Sequence, residues 1–147
     1  MKVLAIASAG GHWTQLLRLL PAFEGKEVVF ISTHKSFAET VEGYPFHAVP
    51  DANRWNKLRL IQMGASVLRL VFIIKPDVVV TTGAAPGLMG IIAGKLIGAK
   101  AIWIDSIANV EKISLSGRLA LLFADRTYTQ WPELANPKIH FSGNVIS

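Results

Sequence analysis

Glycine-rich turns that directly follow apolar, strand-like runs are the feature that most constrains this fold. One turn, Ser-Ala-Gly-Gly-His at residues 8–12, follows the apolar run 3–7. A second turn, Gly-Ala-Ala-Pro-Gly at residues 83–87, follows Asp-Val-Val-Val-Thr-Thr at residues 77–82. Because each turn leads into a helix-like segment, the pattern predicts parallel strand–helix–strand units.

The rest of the chain continues this alternation of strands and helices. The patterns predict strands at residues 2–7, 27–32, 46–49, 77–82, 100–105, 126–129 and 139–141, and helices at 12–23, 35–42, 56–75, from the second turn to 97, and 115–124. Pro76 is expected to end the long helix. The prediction is therefore a single domain over residues 1–147, with a doubly wound, mostly parallel, Rossmann-like α/β sheet and helices on both faces.

The composition is apolar and basic. Hydrophobic residues make up 51% of the chain, so either both sheet faces are covered or some apolar surface meets a partner or a membrane. The net charge is +5, and residues 52–76 hold five Lys and Arg but no Asp or Glu, which favours nucleic acid, an anionic lipid surface or a phosphorylated substrate. The chain has no cysteine, which excludes disulfides and thiolate metal sites. Neither a membrane-spanning helix nor a signal peptide is predicted.

Two common nucleotide sites and a metal site are disfavoured. The dinucleotide fingerprint needs three spaced glycines and an acid at the end of the second strand, but that strand ends in Ser-Thr-His at residues 32–34. Neither turn continues into the Gly-Lys-Ser/Thr of a phosphate-binding loop. The four histidines lack the spacing of metal ligands, and only His12 has a motif around it.

The turn at residues 8–12 carries the best candidate for chemistry. Gly10 and Gly11 allow a ligand to approach the backbone at a helix N-terminus, where free N–H groups favour anionic or hydroxyl-rich ligands. The imidazole of His12 is suited to general base work near neutral pH. The loops at residues 8–12, 83–87 and 105–114 all follow strands, so they are expected to line one edge of the sheet together. Ser114 or Ser116 is expected to cap the next helix.

Two segments keep more than one interpretation. The basic, apolar helix at residues 58–75 is either a core-covering helix with snorkelling arginines or an interfacial helix on an anionic bilayer. Nucleic-acid binding is a weaker third option, because aromatic residues are not interleaved with the basic ones. The pair Trp131-Pro132 forms a rigid apolar corner that serves either packing or a partner contact.

A set of motifs spread over nearly the whole chain supports a family resemblance. The motifs are Gly-Gly-His at residues 10–12, Thr-Thr-Gly-Ala-Ala-Pro-Gly at 81–87, Ser-Leu-Ser-Gly-Arg at 114–118 and Gln-Trp-Pro-Glu-Leu at 130–134. Together they resemble the anchor-subunit family of the two-subunit N-acetylglucosaminyltransferase of asparagine-linked glycan assembly, and more closely its bacterial counterparts in capsule and exopolysaccharide synthesis. The resemblance implies the N-terminal half of a GT-B glycosyltransferase, related to the enzyme that adds N-acetylglucosamine to the undecaprenyl-linked peptidoglycan precursor.

The resemblance also implies an activity and a partner. The chain would bind a polyprenyl-diphosphate-linked acceptor at the cytoplasmic face of the inner (plasma) membrane, as a peripheral protein. A separate C-terminal GT-B-half subunit would bind the nucleotide sugar, a UDP-sugar, since the chain ends near where a second domain is expected to begin. Transfer would be inverting and independent of metal ions and cofactors, with no role for nucleic acid.

The resemblance assigns roles to individual residues. His12 would be the catalytic base or a phosphate contact. The expected substrate contacts are Ser8, Gly10, Gly11, Thr14, Gly83, Ala84, Ala85, Pro86, Gly87, Asp105, Ser106 and Glu111. The expected membrane contacts are Arg54, Lys57, Arg59, Leu60, Arg69 and Phe72. The expected partner contacts are Gln130, Trp131, Pro132 and Asn144.

Two positions depart from the family pattern. Asp105 stands where the family usually has Glu, and Asn109 stands where it usually has Arg. Loss of an arginine near a phosphate site removes a bidentate donor, which bears on the identity of the acceptor. Two other functions remain open at this point: a non-catalytic recruiter of a catalytic subunit to the membrane, and a stand-alone nucleotide-binding protein.

Overall fold

In the computed structural model, which describes residues 1–53 and 55–145, seven parallel strands form one sheet. The strands are β1 (Lys2–Ala7), β2 (Glu27–Ser32), β3 (Phe46–Ala48), β4 (Val78–Gly83), β5 (Lys100–Ile104), β6 (Arg126–Thr129) and β7 (His140–Phe141). Their order across the sheet is β3-β2-β1-β4-β5-β6-β7. The predicted α/β class with a parallel sheet is confirmed.

Helices connect the strands and cover both faces of the sheet. The α-helices are α1 (Gly11–Leu17), α2 (Lys57–Ile74), α3 (Ala85–Leu96) and α4 (Leu115–Ala120), and the 3₁₀ helices are Leu20–Phe23, Lys35–Val41 and Pro132–Leu134. One core cluster packs α2 and α3 against the sheet and includes Leu4, Met63 and Trp103. The other packs α1 against the opposite face and includes Trp13 and Phe30. Because helices bury both faces of the sheet, the central strands consist of consecutive apolar residues.

The long helix α2 begins and ends at signals that are visible in the sequence. The side chain of Asn56 caps its N-terminus and accepts a hydrogen bond from the Arg59 N–H at 3.1 Å. Lys75 adopts the left-handed conformation at its C-terminus, and Pro76 follows. The Ser114 hydroxyl likewise caps α4 by accepting from the Gly117 N–H at 2.9 Å, so Ser114 is the cap of the two predicted candidates, Ser114 and Ser116.

Three predicted helices were too long or of the wrong type. The segment 12–23 is divided into α1 and a 3₁₀ turn, because Pro21 cannot donate the backbone hydrogen bond that would continue the helix. Residues 35–41 form a 3₁₀ rather than an α-helix. After α4, the chain tightens into i→i+3 bonds, such as Phe123 N–H to the Ala120 carbonyl, so the regular helix ends at Ala120.

Candidate functional site

The two glycine-rich turns meet at the carboxyl edge of the sheet. They follow β1 and β4, which are neighbours, and the order of the strands reverses direction between them. The Ser8 N–H donates to the Gly83 carbonyl at 3.1 Å, which joins the turns directly. Gly10 has a φ of 76°, a conformation that a side chain disfavours, and it allows α1 to begin after a turn of only three residues, 8–10. Ligands of open α/β sheets bind at such a reversal point.

His12 is held between the two turns by a reciprocal pair of hydrogen bonds. Its ring Nδ1 lies 3.0 Å from the Thr82 carbonyl oxygen, and the Thr82 hydroxyl donates to the His12 carbonyl at 2.6 Å. Because a carbonyl oxygen can only accept, the first bond requires the proton to be on Nδ1. The neutral imidazole then keeps its acceptor lone pair on Nε2, as a general base needs.

The first turn of α1, which contains His12, has backbone N–H groups outside the helical hydrogen-bond ladder. The first intrahelical bond of α1 runs from the Thr14 N–H to the Gly10 carbonyl at 3.2 Å, so the N–H groups of residues 11–13 precede the helical ladder. Gly11 and Thr14 are exposed, and Ser8 is half-buried. These predicted substrate contacts therefore lie together on an accessible edge.

The second turn is less accessible than the sequence predicted. Ala84 and Ala85 are half-buried, whereas Gly83, Pro86 and Gly87 are buried. A Cβ atom on Gly87 would overlap the side chain of Thr81, so this glycine brings α3 close to the sheet. The expectation that Pro86 and Gly87 contact a substrate is corrected on this ground.

Asp105 organises the third loop of the edge from inside the protein. It is 1% exposed, and its Oδ1 accepts from the Trp103 indole N–H at 2.9 Å and the Ser114 hydroxyl at 2.7 Å. Its Oδ2 accepts from the Asn109 side-chain N–H and the Ser114 N–H, both at 3.0 Å. Both carboxylate oxygens are thus engaged within the chain, so the expectation of a direct substrate contact is corrected to a role in positioning the loop. Asn109, which stands where arginine was expected, belongs to the same cluster.

The predicted partner contacts divide between interior and surface. Gln130 is 2% exposed and is hydrogen-bonded to Gln15, so its side chain is not available to a partner, and this prediction is corrected. Trp131 is half-buried and donates to the Ile107 carbonyl at 2.7 Å. Pro132 is exposed and Asn144 is half-buried, so both remain on accessible surface.

Two residues of the edge escaped sequence analysis. Thr82, which secures His12, belonged to a predicted strand and to the motif at residues 81–87, but no role was predicted for its side chain. Gln15 is 7% exposed and joins α1 to the loop after β5 through Ser106, whose hydroxyl accepts from the Gln15 side-chain N–H at 3.1 Å. The available signal was a polar residue between the buried Trp13 and Leu16 of an amphipathic helix. Glu111, by contrast, is exposed on that loop, as an accessible contact requires.

The outer face of α2 is apolar and basic. Leu58, Ile61 and Ile73 are 65%, 68% and 63% exposed, and the predicted membrane contacts Lys57, Arg59, Arg69 and Phe72 are also exposed. Leu60 is half-buried and packs against the core cluster beneath α2, so its expected membrane contact is corrected. Arg54 lies outside the described residues.

Residues 1–53 and 55–145 contain neither a candidate metal cluster nor a candidate membrane-spanning helix. No three His, Asp or Glu side chains there are placed to hold a metal ion. No helix in that part of the chain has the length and apolar character needed to cross a bilayer.

The family of the chain follows from a match over residues 55–145 to the model described as "Oligosaccharide biosynthesis protein Alg14 like". The chain belongs to the Alg14-like family. The matched residues include the Asp105 loop, α4 and the Gln-Trp-Pro-Glu-Leu segment at 130–134.

Curated relatives of this Alg14-like chain share its whole length. The protein named "UDP-N-acetylglucosamine transferase subunit ALG14" from Yarrowia lipolytica is 26% identical, over 99% of this chain and 81% of the relative. The human protein of the same name is 24% identical, over 99% of this chain and 83% of the relative.

Solved structures support the Rossmann-like fold. MurG from Acinetobacter baumannii superposes with a TM-score of 0.78 at 15% identity, covering 97% of this chain and 46% of MurG. UDP-GlcNAc 2-epimerase from Methanocaldococcus jannaschii gives a TM-score of 0.70 at 18% identity, covering 98% of this chain and 46% of the epimerase. The Alg14-like chain therefore spans less than half the length of these two structures.

Proposed function

We propose that this chain is the acceptor-binding, membrane-associating subunit of a heteromeric inverting glycosyltransferase. It would transfer a sugar from a UDP-sugar to a polyprenyl-diphosphate-linked acceptor. Family membership and the names of the relatives, which are UDP-N-acetylglucosamine transferase subunits, support the reaction class. The observation that carries the proposal is His12, oriented by Thr82 beside free backbone N–H groups at the point where the strand order reverses. The bacterial capsule and exopolysaccharide branch stays a prediction.

The chemistry follows from the orientation of His12. Nε2 accepts the proton of the acceptor hydroxyl while that oxygen forms a bond to the anomeric carbon of the donor sugar. The bond between the anomeric carbon and the diphosphate oxygen breaks, and UDP leaves from the opposite side, which inverts the anomeric centre. The N–H groups at the start of α1 stabilise phosphate oxygens near the reacting atoms.

Substitution of His12 tests this mechanism. His12→Gln and His12→Ala are expected to lower kcat by about 100-fold or more when the chain is assayed with its donor-binding partner. The exposed His47 on β3 provides a matched control, and His47→Ala is expected to leave kcat unchanged. If the His12 variants transfer sugar at the rate of the unsubstituted chain while still recruiting the partner to membranes, the chain is a non-catalytic recruiter.

The outer face of α2 is the proposed membrane contact, at the cytoplasmic face of the inner membrane. Its exposed Leu58, Ile61 and Phe72 would enter the interface, and Arg59 and Arg69 would meet anionic headgroups. The absence of acidic residues between positions 52 and 76 removes repulsion from an anionic surface.

Charge reversal separates this surface from general basicity. The double variant Arg59→Glu/Arg69→Glu is expected to lose sedimentation with vesicles that contain about 30% phosphatidylglycerol. The variant Lys26→Glu/Lys138→Glu makes the same change in charge at exposed positions outside α2 and is expected to retain binding. Equal loss in both variants would show that net charge, rather than α2, drives the association.

A groove near the C-terminal strands is the proposed contact for the donor-binding subunit. It has a volume of about 530 Å³ and lies between the segment 18–22, which follows α1, and β6, with Ala22, Tyr128 and residues 142–145 in its lining. The accessible Asn144 forms part of it. Ala22→Arg is expected to weaken co-purification of the partner without loss of thermal stability, because Ala22 is exposed. Unchanged co-purification would place the partner elsewhere.

A further inference from the structure

A buried amide of Gln130 connects two parts of the backbone at the edge of the site. Its Nε2 donates to the Asp105 carbonyl at 2.9 Å, and its Oε1 accepts from the Val145 N–H at 2.9 Å. A backbone carbonyl can only accept and a backbone N–H can only donate, so these two partners determine which end of the amide is oxygen. The second hydrogen of Nε2 points to Gln15, whose Oε1 lies 2.6 Å away.

The orientation of Gln130 determines that of Gln15. The Gln15 Oε1 faces the Gln130 Nε2, and it also accepts from the Ile107 N–H at 3.0 Å. Because two N–H donors face this end of the Gln15 amide, the atom there must be the oxygen and not the nitrogen. Its Nε2 is consequently directed at the Ser106 hydroxyl oxygen, at 3.1 Å.

Ser106 receives hydrogen bonds and has no acceptor for its own proton. Its Oγ accepts from Gln15 and from the Ala108 N–H, the latter at 3.2 Å, and these two donors occupy both of its lone pairs. Among residues 1–53 and 55–145, no acceptor is hydrogen-bonded to this hydroxyl. Ser106 lies immediately beyond β5 at the carboxyl edge, and Gln15 follows His12 by one helical turn.

We infer that Ser106 is an obligate hydrogen-bond donor to bound substrate. Gln15 and Gln130 are positioning residues, because the orientation of their amides makes the Ser106 oxygen an acceptor and leaves its proton for the substrate. Ser106 would select an oxygen that accepts, such as a phosphate or carbonyl oxygen, and would reject an N–H group at that place. The inference rests on the proposed function, because it concerns the same edge of the sheet. It assigns a specificity role to two glutamines that lie 115 positions apart in the chain.

The substitution Gln15→Glu tests directly whether the Ser106 hydroxyl must donate to the substrate. The carboxylate that it introduces would still accept from Gln130 and Ile107, but it would also accept the Ser106 proton, which would then no longer point to substrate. The hydrogen bonds around residue 15 are therefore kept, while the Ser106 hydroxyl no longer donates to the substrate. Ser106→Ala removes the same donor by a different route, and Ser106→Thr restores it. Ser116→Ala on α4 is the matched control, since Ser116 has no place in the site.

The experiment measures binding and transfer with the complex of this chain and its donor-binding partner. The probes are UDP-N-acetylglucosamine and a short-chain polyprenyl diphosphate that carries N-acetylglucosamine. Ser106→Ala and Gln15→Glu are expected to raise the Kd of one probe by about 3-fold or more, by the same factor, with no further rise in the double variant. The affected probe identifies the acceptor diphosphate or the nucleotide sugar as the source of the oxygen. Ser106→Thr and Ser116→Ala are expected to keep the original Kd.

Four outcomes overturn the inference. Unchanged affinity of Ser106→Ala for both probes, with transfer intact, overturns it and leaves the proposed function standing. An additive rise in the double variant, or a loss of thermal stability by Gln15→Glu without a change in Kd, assigns the glutamines a structural role only. Failure of both probes to bind the unsubstituted complex overturns the inference and the proposed function together.

Discussion

Substitution of Gly87 by alanine distinguishes a packing glycine from a ligand-binding one. Gly87 is the third residue of α3, is buried, and lies against Thr81 of β4. An added Cβ would overlap the Thr81 hydroxyl and approach the Thr81 Cβ to 3.0 Å and Cγ2 to 3.2 Å. Thr81 has little freedom to move, because it is 0% exposed and its hydroxyl accepts from the Gly83 N–H at 3.0 Å.

The expected loss of stability can be worked out from these contacts. Overpacking of a close-packed core costs about 1–3 kcal/mol. Displacement of Thr81 also breaks its bond to Gly83, at about 1 kcal/mol. Alanine offsets about 1 kcal/mol through its higher helix propensity. The net destabilisation by Gly87→Ala is therefore about 2 kcal/mol, which lowers the Tm of a chain of this size by about 4–8 °C.

Thermal and urea denaturation of the purified chain measure this effect. Gly64 of α2 is a matched control, because a Cβ there would meet only the flexible end of Met89, at 3.0 Å from its Cε. Gly64→Ala is expected to leave stability unchanged or raise it by up to about 1 kcal/mol. The packing argument is refuted if Gly87→Ala keeps the original Tm while substrate binding falls. That result would return Gly87 to the substrate contacts that the sequence predicted.

Two further predictions concern buried and paired carboxylates. Asp105→Asn is expected to lose about 2–4 kcal/mol in urea denaturation, because an amide cannot accept all four donors, whereas exposed Asp51→Asn is expected to be neutral. Equal stability of the two variants would contradict the role of Asp105 in the loop. Burial alone would raise the pKa of Asp125, but its hydrogen bonds from Lys95 and the Ala101 N–H outweigh burial, so the pKa lies below its ordinary value of 3.8. A lowered carboxyl pKa stabilises the fold at neutral pH, and this stability is lost as the pH falls through the folded-state pKa. Asp125→Asn is expected to lower the Tm at pH 7, and this difference is expected to shrink as the pH falls below 3.8 and through the folded-state pKa; a pH-independent difference would contradict this assignment.

Local patterns were sufficient for most of the fold. The runs of β1 and β4 were visible because strands covered on both faces consist of consecutive apolar residues. Asn56 and Pro76 bounded α2 correctly to within one or two residues. The segment 12–23 was misjudged, because its apolar periodicity continues through Pro21 while its backbone hydrogen bonding does not.

The candidate site was only partly visible in the sequence. Gly10 and His12 form a motif because they are close together in the chain, and the structure places them at the reversal point of the sheet. Ser106 and Gln130 were predicted only as separate substrate and partner contacts, and no local pattern indicated that both meet Gln15 in one polar cluster. Burial of Gln130 was not predictable, because polar side chains are mostly exposed unless distant partners satisfy them.

By itself, the sequence determined the α/β class, the parallel order of strand and helix, and the two glycine turns, because each depends on residues close together in the chain. Only the tertiary structure decided which distant residues form hydrogen bonds with the side chains at those turns. His12 meets Thr82 across 70 positions, and Gln15 meets Gln130 across 115. The orientation of an imidazole or an amide depends on the donors and acceptors that surround it in space, and folding of the sheet brings these together.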